Sequence, residues 1–233
     1  MLRNRRLLAI ETSGRYLSLA YRKNRRECSD YQNIRTGFHS ENLFPALKQL
    51  FRGSEKNTVP DFIAVDIGPG SFTGIRVGIA MARALGQAWK RPLIGVVSLD
   101  ALAWSVIGYA GHVCCIIDAL RDEVFESQYR CGGTVQRISP YRLIPITALC
   151  RELSGMKEKI FFIGSGAAAH ADAIKTACGN NAVIARERQN YPHARCVLHA
   201  AMSGSFTPVR YEAIEPLYIR RPTVEERRMR KSA

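Results

Sequence analysis

The stretch of residues 61–90 constrains the fold of this chain most, because it places a strand, a glycine-rich turn and a long helix in direct succession. The run Phe62–Val65 is apolar without polar alternation, which is typical of a strand covered on both faces. Gly68-Pro69-Gly70 then ends the strand. A glycine-rich turn before a helix can hold an anion. This one has no lysine and does not fit the GxGxxG pattern, so a tight turn without a ligand is the alternative.

The helix after this turn is predicted over Gly74–Trp89, with Ser71 or Thr73 capping its first turn. Small residues recur every four positions along one side of it, at Gly74, Gly78, Ala82 and Gly86. Each glycine costs a helix about 1 kcal/mol relative to alanine, so the row indicates that another backbone approaches closely. That backbone belongs either to the chain's own fold or to another subunit, and the pattern leaves both open.

The length of the chain limits the number of domains, and its net charge indicates the kind of partner it could bind. The 233 residues suffice for one large domain or for two lobes of about 100 residues each. The formal net charge of +14 favours a nucleic acid or an acidic protein as partner. Solvated charged faces are the simpler explanation. The basic residues cluster at Arg3–Arg6, Arg22–Arg26 and Arg220–Lys231.

Three features lead us to expect a cytoplasmic protein. No apolar run reaches the roughly 20 residues needed to cross a bilayer. The run Leu7–Ile10 is too short for the apolar region of a signal peptide. The seven cysteines lack CxxC spacing, which fits free thiols in a reducing compartment.

Strands and helices are predicted in the order β-β-β-α-β-α, and this order occurs twice. The helix of the first series starts at His39, the second series starts at His112, and the last helix is His193–Met202. The expected architecture is therefore two lobes, each a mixed sheet flanked by helices. The split between them is expected near residues 103–111.

Three local expectations are specific enough to test. Ser98 should cap the helix that follows the strand Leu93–Val97. Ser165–Cys178 should form one helix. Pro45 should kink the helix from His39 or delay its start, because proline removes a backbone donor and clashes with the preceding turn.

The chemistry-bearing residues do not form a recognisable catalytic set. No two of the five histidines have the i, i+4 spacing that places two metal ligands on one helix face. Gly164-Ser165-Gly166 follows a predicted strand, but the sequence nominates no histidine and acid to activate Ser165. We therefore expect no catalytic residue and no metal site, although a site assembled from distant residues stays open.

Several sequence blocks together resemble the bacterial TsaB (YeaZ) family. They are LAIETS at 8–13, GPGSFTGIR at 68–76, IDA at 117–119 and EPLYIR at 215–220. The second block is the most specific of these. The resemblance implies an α/β fold of the actin-like, sugar-kinase-like ATPase type with two ribonuclease-H-like lobes. We expect an N-terminal lobe over 1–103, a C-terminal lobe over 104–219, and a basic, mobile tail over 220–233.

The resemblance also implies a role in making N6-threonylcarbamoyladenosine next to the anticodon of tRNA. The expected role is that of a non-catalytic partner subunit for the paralogue TsaD, which performs the transfer, together with the ATPase TsaE. tRNA would be reached through that complex, and a homodimer is the alternative association. No membrane contact is expected, nor any peptidase activity, despite the M22 glycoprotease-like label of a paralogue.

A nucleotide in such a fold lies between two glycine-bearing hairpins, one in each lobe. The resemblance places a weak, degenerate nucleotide site at Glu11, Thr12, Ser13, Gly68, Gly70, Ser71, Asp118, Gly164 and Gly166. The second-lobe turn at 118–122 carries side chains where glycines would let phosphates approach. We therefore expect no resident cofactor, and ATP or ADP at the subunit interface of the complex is left open.

The contact with TsaD, or with a second copy of the chain, is predicted on the two helices of the first lobe. Its expected residues are Leu43, Leu47, Gly74, Gly78, Ala82 and Gly86. The leucines, like the small residues, would alternatively cover the chain's own sheet. The rival function is an enzyme of the same fold, either an ATP-dependent kinase or transferase or an M22-type metallopeptidase-like protein. A free-standing RNA-binding protein is a third hypothesis.

Overall fold

The protein is built from two mixed β-sheets with helices packed against both. The computed structural model of the chain describes residues 5–24, 28–33, 39–51 and 59–219. The predicted tail at 220–233 lies outside these residues. Within the described ranges, none of the helices combines the length and apolarity needed to cross a membrane.

The strands and helices occur largely in the predicted order. The first series is β1 (Leu7–Glu11), β2 (Leu17–Arg22), β3 (Cys28–Asn33), α1 (His39–Leu50), β4 (Phe62–Asp66), α2 (Phe72–Trp89), β5 (Leu93–Val96) and α3 (Ser98–Ser105). The second series is β6 (Gly111–Asp118), β7 (Glu123–Cys131), β8 (Val135–Arg137), β9 (Arg142–Pro145), α4 (Ile146–Leu153), β10 (Ile160–Ile163), α5 (Ser165–Ala169), α6 (Ala171–Cys178), β11 (Ala182–Ile184) and α7 (Ala194–Met202).

The first sheet has the strand order β3-β2-β1-β4-β5. β1 pairs antiparallel with β2 and parallel with β4, and β4 pairs parallel with β5. All five residues of β1 are buried. Leu8 and Ile10 face the core formed with α1 and α2, whereas Leu7 and Ala9 face the core formed with α7. The sheet is therefore covered on both sides, as the unbroken apolar runs predict.

The second sheet repeats this arrangement, with the strand order β11-β10-β6-β7-β8 and β9 also paired with β7. β6 takes the place of β1, since it pairs antiparallel with the next strand, β7, and parallel with the later strand β10. Two sheets of the same topology confirm the expected pair of ribonuclease-H-like lobes. Strand β9 was missed in the sequence.

The last described segment, from α7 to Leu217, returns to the first sheet. Helix α7 packs against β1, β2, β4 and β5. Beyond it, Val209 pairs with Leu93, and Leu217 N donates to Ile67 O at 2.8 Å. The predicted lobe ranges assign these residues to the C-terminal lobe, but their contacts place them on the N-terminal sheet. The physical reason is that the face of β1 turned away from α2 would otherwise be exposed to water. The boundary near residue 103 itself stays a prediction.

Two of the three local expectations need correction. Ser98 is the first residue of α3, and its hydroxyl donates to Asp66 Oδ1 at 2.6 Å instead of capping the helix. The predicted helix Ser165–Cys178 is two helices, broken where His170 leaves helical geometry at φ −113° and ψ 25°. The third expectation allowed either a kink at Pro45 or a delayed start; α1 starts at His39 and runs across Pro45, which excludes the delayed start and leaves the kink a prediction.

The row of small residues on α2 faces inward. A Cβ built on Gly74 would lie 2.0 Å from Thr12 O, and one built on Gly86 would lie 2.9 Å from Tyr211 Cβ. Ala82 is fully buried, and so, within a few per cent, are Leu43 and Leu47 on α1. The six residues predicted as a subunit interface are therefore inside the molecule. Of the two alternatives for the row, close approach within the chain is correct.

Candidate functional site

A cleft lies between the two sheets, at the C-terminal ends of strands β1, β4 and β6. Its cavity has a volume of about 290 Å³. The walls come from the turn after β1, the loop before α2, the end of β6, the start of α5 and the segment before α7. The lining residues are Ser13, Gly14, Arg15, Pro69, Gly70, Ser71, Ile117, Asp118, Ser165, Asn190, Tyr191 and Pro192.

On the first-lobe side of the cleft, the buried carboxyl group of Glu11, at the end of β1, holds the adjoining turn in place. Glu11 is fully buried, and its Oε1 accepts hydrogen bonds from Ser13 N at 2.7 Å, Ser13 Oγ at 2.7 Å and Gly14 N at 3.0 Å. These bonds hold the turn 13–14 in place. Glu11 Oε2 is buried and has no hydrogen-bond partner among the described residues.

A second buried carboxyl group, at the end of β4, joins the same network. Asp66 Oδ1 accepts from Gly68 N at 2.7 Å and from Ser98 Oγ at 2.6 Å. Asp66 Oδ2 lies 3.2 Å from Ser13 Oγ. Ser13 has one hydroxyl proton, so it can serve either Glu11 or Asp66 but not both. The network ties the turn after β1, the loop after β4 and the start of α3 together beneath the cleft.

Burial changes the ionisation of both groups. Desolvation, reinforced by the charge of Asp66, raises the pKa of Glu11 to about 8. Desolvation raises the pKa of Asp66 to about 6, against the hydrogen bonds from Ser98, Gly68 and Ser13 that favour its charged form. The two carboxyl groups therefore titrate as a coupled pair, and their burial disfavours two negative charges in the cleft floor.

The second-lobe side of the cleft is the turn between β6 and β7. Asp118 Oδ1 accepts from Leu120 N at 3.0 Å, and His170 Nε2 lies 3.8 Å from the same oxygen. Leu120, Arg121 and Asp122 have φ angles of 64°, 57° and 58°. Three successive left-handed residues without glycine are costly in backbone strain. The turn also projects Leu120 into solvent, with 71% of its surface exposed.

Four of the nine predicted nucleotide residues line the cavity: Ser13, Gly70, Ser71 and Asp118. The other five do not line the cavity but lie in the strand ends, the loops and the start of α5 next to it. Thr12 donates to Gly74 O at 2.8 Å and so ties β1 to α2. A Cβ on Gly164, at φ +115°, would lie 2.1 Å from Ile116 O, so this glycine is needed for close packing of the loop against β6. Gly166 packs on Ile116 in the same way.

Sequence reasoning missed three residues that build the site. Ser98 was predicted only as a helix cap, and Asp66 and Asn190 were not considered. Asn190 is buried, and its Oδ1 accepts from Gly164 N at 3.0 Å, which fixes the start of α5. A polar residue that directly ends an apolar strand, as Asp66 does, was the available signal. Within the described ranges, no group of three His, Cys, Asp or Glu side chains is placed to hold a metal ion.

Known proteins match both the sequence and the fold. The sequence model of the family TsaD, described as tRNA N6-adenosine threonylcarbamoyltransferase, matches residues 34–227. The tRNA threonylcarbamoyladenosine biosynthesis protein TsaB of Bacillus subtilis (strain 168) is 26% identical over 188 residues, which are 80% of this chain and 82% of the relative. TsaB of Escherichia coli (strain K12) is 32% identical over 129 residues, which are 54% of this chain and 55% of that protein.

A solved structure agrees. YeaZ from Pseudomonas aeruginosa superposes with a TM-score of 0.75 at 26% identity, covering 91% of this chain and 99% of that one. The matched blocks, the doubled sheet topology and the cleft between the sheets point the same way. The chain therefore belongs to the TsaD family and, within it, to the TsaB (YeaZ) proteins of tRNA threonylcarbamoyladenosine biosynthesis.

Proposed function

We propose that the chain is a non-catalytic partner subunit that binds TsaD and enables its transfer of the threonylcarbamoyl group to tRNA, with TsaE as a further member of the assembly. The observation that carries this proposal is the state of the cleft. Backbone N–H groups of its second-lobe turn, residues 118–122, form hydrogen bonds with the turn and the adjoining Glu123 instead of pointing at a phosphate. Its first-lobe acid, Glu11, is buried beneath the turn 13–14.

The turn uses its own backbone donors. Leu120 N donates to Asp118 Oδ1, Ala119 N donates to Glu123 O at 2.9 Å, and Glu123 N donates to Leu120 O at 3.1 Å. Phosphate-binding turns instead point free N–H groups at the ligand, usually with glycines that let it approach. These internal bonds support weak nucleotide affinity, with any ATP or ADP held at the interface of the complex.

The first-lobe acid is equally poorly placed for catalysis. Glu11 is fully buried under the turn 13–14, and one of its oxygens already accepts three hydrogen bonds. Its burial raises its pKa and so favours the uncharged form. A neutral, enclosed carboxyl group is a weak ligand for a metal ion and cannot readily orient an attacking water. This supports a structural role.

The two helices of the first lobe offer another surface for a partner. On α1, Phe44 is 52% exposed. On α2, Ala80, Ala84 and Ala88 are exposed on the side opposite the buried glycine row. We name these four residues the outer helix face. Small exposed residues allow a partner helix to approach closely, so we assign the contact with TsaD, or with a second copy of the chain, to this face.

A charge placed on that face tests the assignment. Ala84→Arg should greatly reduce co-purification with TsaD and leave thermal unfolding within the range of ordinary surface changes, about 0.5 kcal/mol. Ala173→Arg on α6 makes the same change on an exposed helical alanine and should leave the complex intact. Equal recovery of TsaD with both variants would contradict the proposed face.

The rival enzyme is tested on the isolated chain. ATP turnover should stay at background, and nucleotide affinity should be weak. Turnover that Asp118→Ala abolishes would instead establish an ATP-dependent enzyme and overturn the partner role.

A further inference from the structure

One rim of the cleft carries an exposed stack of an arginine with two aromatic rings. The guanidinium of Arg76 lies 3.8 Å from the ring centroid of Phe72, and Arg76 Nη2 donates to Tyr218 Oη at 3.3 Å. The Phe72 and Tyr218 ring centroids are 6.2 Å apart. Phe72 directly follows Ser71 of the cleft wall, and 56% of its surface is exposed.

A second arginine–aromatic cluster lies beside the same cavity. The guanidinium of Arg15 is 5.9 Å from the ring centroid of Tyr16, and Tyr16 packs edge-on against Tyr191 with centroids 5.3 Å apart. Arg15 and Tyr191 both line the cavity. We call these two sets, Phe72–Arg76–Tyr218 and Arg15–Tyr16–Tyr191, the rim clusters.

The arginines of the rim clusters differ from other arginines of the structure in their partners. Elsewhere in the structure, Arg130 pairs with Glu158 and Arg210 pairs with Glu212. In the described part of the chain, by contrast, neither Arg15 nor Arg76 forms an ion pair. Both side chains are exposed. An arginine that is held against a ring without a carboxylate partner keeps its donors available for an anion.

We propose that the rim clusters bind single-stranded RNA across the mouth of the cleft. The guanidinium groups of Arg15 and Arg76 contact phosphates, and unpaired bases stack on Phe72 and Tyr218. Aromatic and arginine planes together are the usual platform for unpaired bases, since every base offers a flat face. The inference deepens the proposed function and rests on it for the identity of the RNA.

Charge complementarity favours an anionic partner at these positions, and the exposed aromatic rings favour single-stranded RNA among such partners. The chain carries a net charge of +14. In sequence, Tyr218 is followed within the last 14 residues by six basic and two acidic side chains. A polyanion gains from both the clusters and this overall charge through release of its counterions. Stacking also requires accessible base faces, which a duplex does not offer.

The experiment compares binding of a labelled single-stranded RNA and a duplex RNA of equal length to the full chain, at several salt concentrations. The double variant Arg15→Gln/Arg76→Gln should weaken single-strand binding. The slope of log affinity against log salt should fall by roughly 1.4, at about 0.7 for each phosphate contact. The control Arg130→Gln/Arg210→Gln removes the same charge from arginines that already have carboxylate partners, and its slope should stay close to that of the wild type.

Phe72→Ala tests the stacking separately. It removes no charge, so the salt slope should stay unchanged, whereas the preference for single-stranded over duplex RNA should fall about tenfold. The proposal is overturned if the two double variants behave alike, or if Phe72→Ala keeps the wild-type preference. Co-purification of the same variants with TsaD separates the two proposals. Loss of TsaD with RNA binding intact would identify the rim clusters as a protein contact instead.

Discussion

The hydroxyl of Thr12 occupies the space that a side chain at position 78 would need, because a Cβ built on Gly78 would lie 2.3 Å from Thr12 Oγ1. The same hydroxyl donates to Gly74 O. The end of β1 and the first two turns of α2 are therefore in direct contact. Since Ser13 and Glu11 flank Thr12, this contact also sets the height of the cleft floor.

Gly78→Ala should consequently destabilise the protein. Alanine is the better helix former by about 1 kcal/mol, but the added methyl group must displace Thr12, and overpacking of this kind costs about 1–3 kcal/mol. We expect a net loss of stability in urea unfolding. Gly108→Ala is the control, since nothing in the described part of the chain lies within 4 Å of a Cβ there. Equal stability of the two variants would show that Thr12 can move at no cost.

The buried Glu11 should make stability depend on pH. Its raised pKa, about 8, means that the native state keeps a proton that the unfolded chain has already released. The stabilisation of the native state that arises from this raised pKa is fully present below the ordinary pKa of a glutamate. It is lost as pH rises towards 8, at no more than about 1.4 kcal/mol per pH unit. The free energy of unfolding of the wild type should therefore fall between pH 6 and 8, relative to that of Glu11→Gln.

The difference between the two curves is the quantity to measure, because other groups titrate in the same range. The pKa of His199, for example, is lowered by burial and by nearby arginines. Glu187→Gln replaces an exposed carboxylate and should reproduce the wild-type pH profile. A flat difference curve for Glu11→Gln would mean that Glu11 is ionised in the native state.

The tyrosine pair on Asp100 should stabilise the contact between α3 and the second sheet. Asp100 is buried and accepts hydrogen bonds from Tyr129 Oη at 2.8 Å and from Tyr141 Oη. Tyr129→Phe leaves the buried carboxylate one donor short, which costs about 1–3 kcal/mol. The cost should shrink at acidic pH, because burial raises the pKa of Asp100 and a protonated carboxyl group needs fewer donors.

Urea unfolding of Tyr129→Phe at neutral and acidic pH measures this effect. Tyr109→Phe is the matched control, since among the described residues its hydroxyl forms no hydrogen bond. A loss of stability that stays the same at both pH values would assign the effect to packing of Tyr129 rather than to Asp100.

The glycine-free turn should accept a glycine with a gain in stability. Leu120 has φ 64°, which costs an L-residue about 1–2 kcal/mol, and its side chain is mostly exposed. Leu120→Gly removes that strain and loses about 0.5–1 kcal/mol in backbone entropy, so we expect a net stabilisation of about 0.5 kcal/mol. Leu120→Ala keeps the Cβ and should show no such gain. Thermal unfolding of both variants decides the matter.

Much of the fold could be predicted from the sequence because it depends on local patterns. The apolar run Phe62–Val65 predicted a strand covered on both faces, and Ser71 accepts the predicted capping bond from Gly74 N. The helix break at His170 and the short strand β9 were missed. Strand β9 is defined by its pairing with β7, and such a partner is invisible to local periodicity.

The candidate site was harder to predict, because its residues are far apart in the chain. Glu11, Ser13 and Asp118 were predicted only through the family resemblance of their sequence blocks. The network that links Ser13 to Asp66 and Ser98 spans 85 residues of sequence, and nothing local marks Ser98 as a partner of Asp66.

The order of the elements, the doubled topology and the need for close approach along Gly74, Gly78, Ala82 and Gly86 were determined by the sequence itself, since side-chain size and polarity act over one or two turns of chain. Which surface that row meets was decided only by tertiary structure. Thr12 and Tyr211, which are far apart in the sequence, both pack against the row, and these contacts bury it inside the protein. Both sides of α2 carry small residues, and only the packing of the folded chain determines which side stays exposed to a partner.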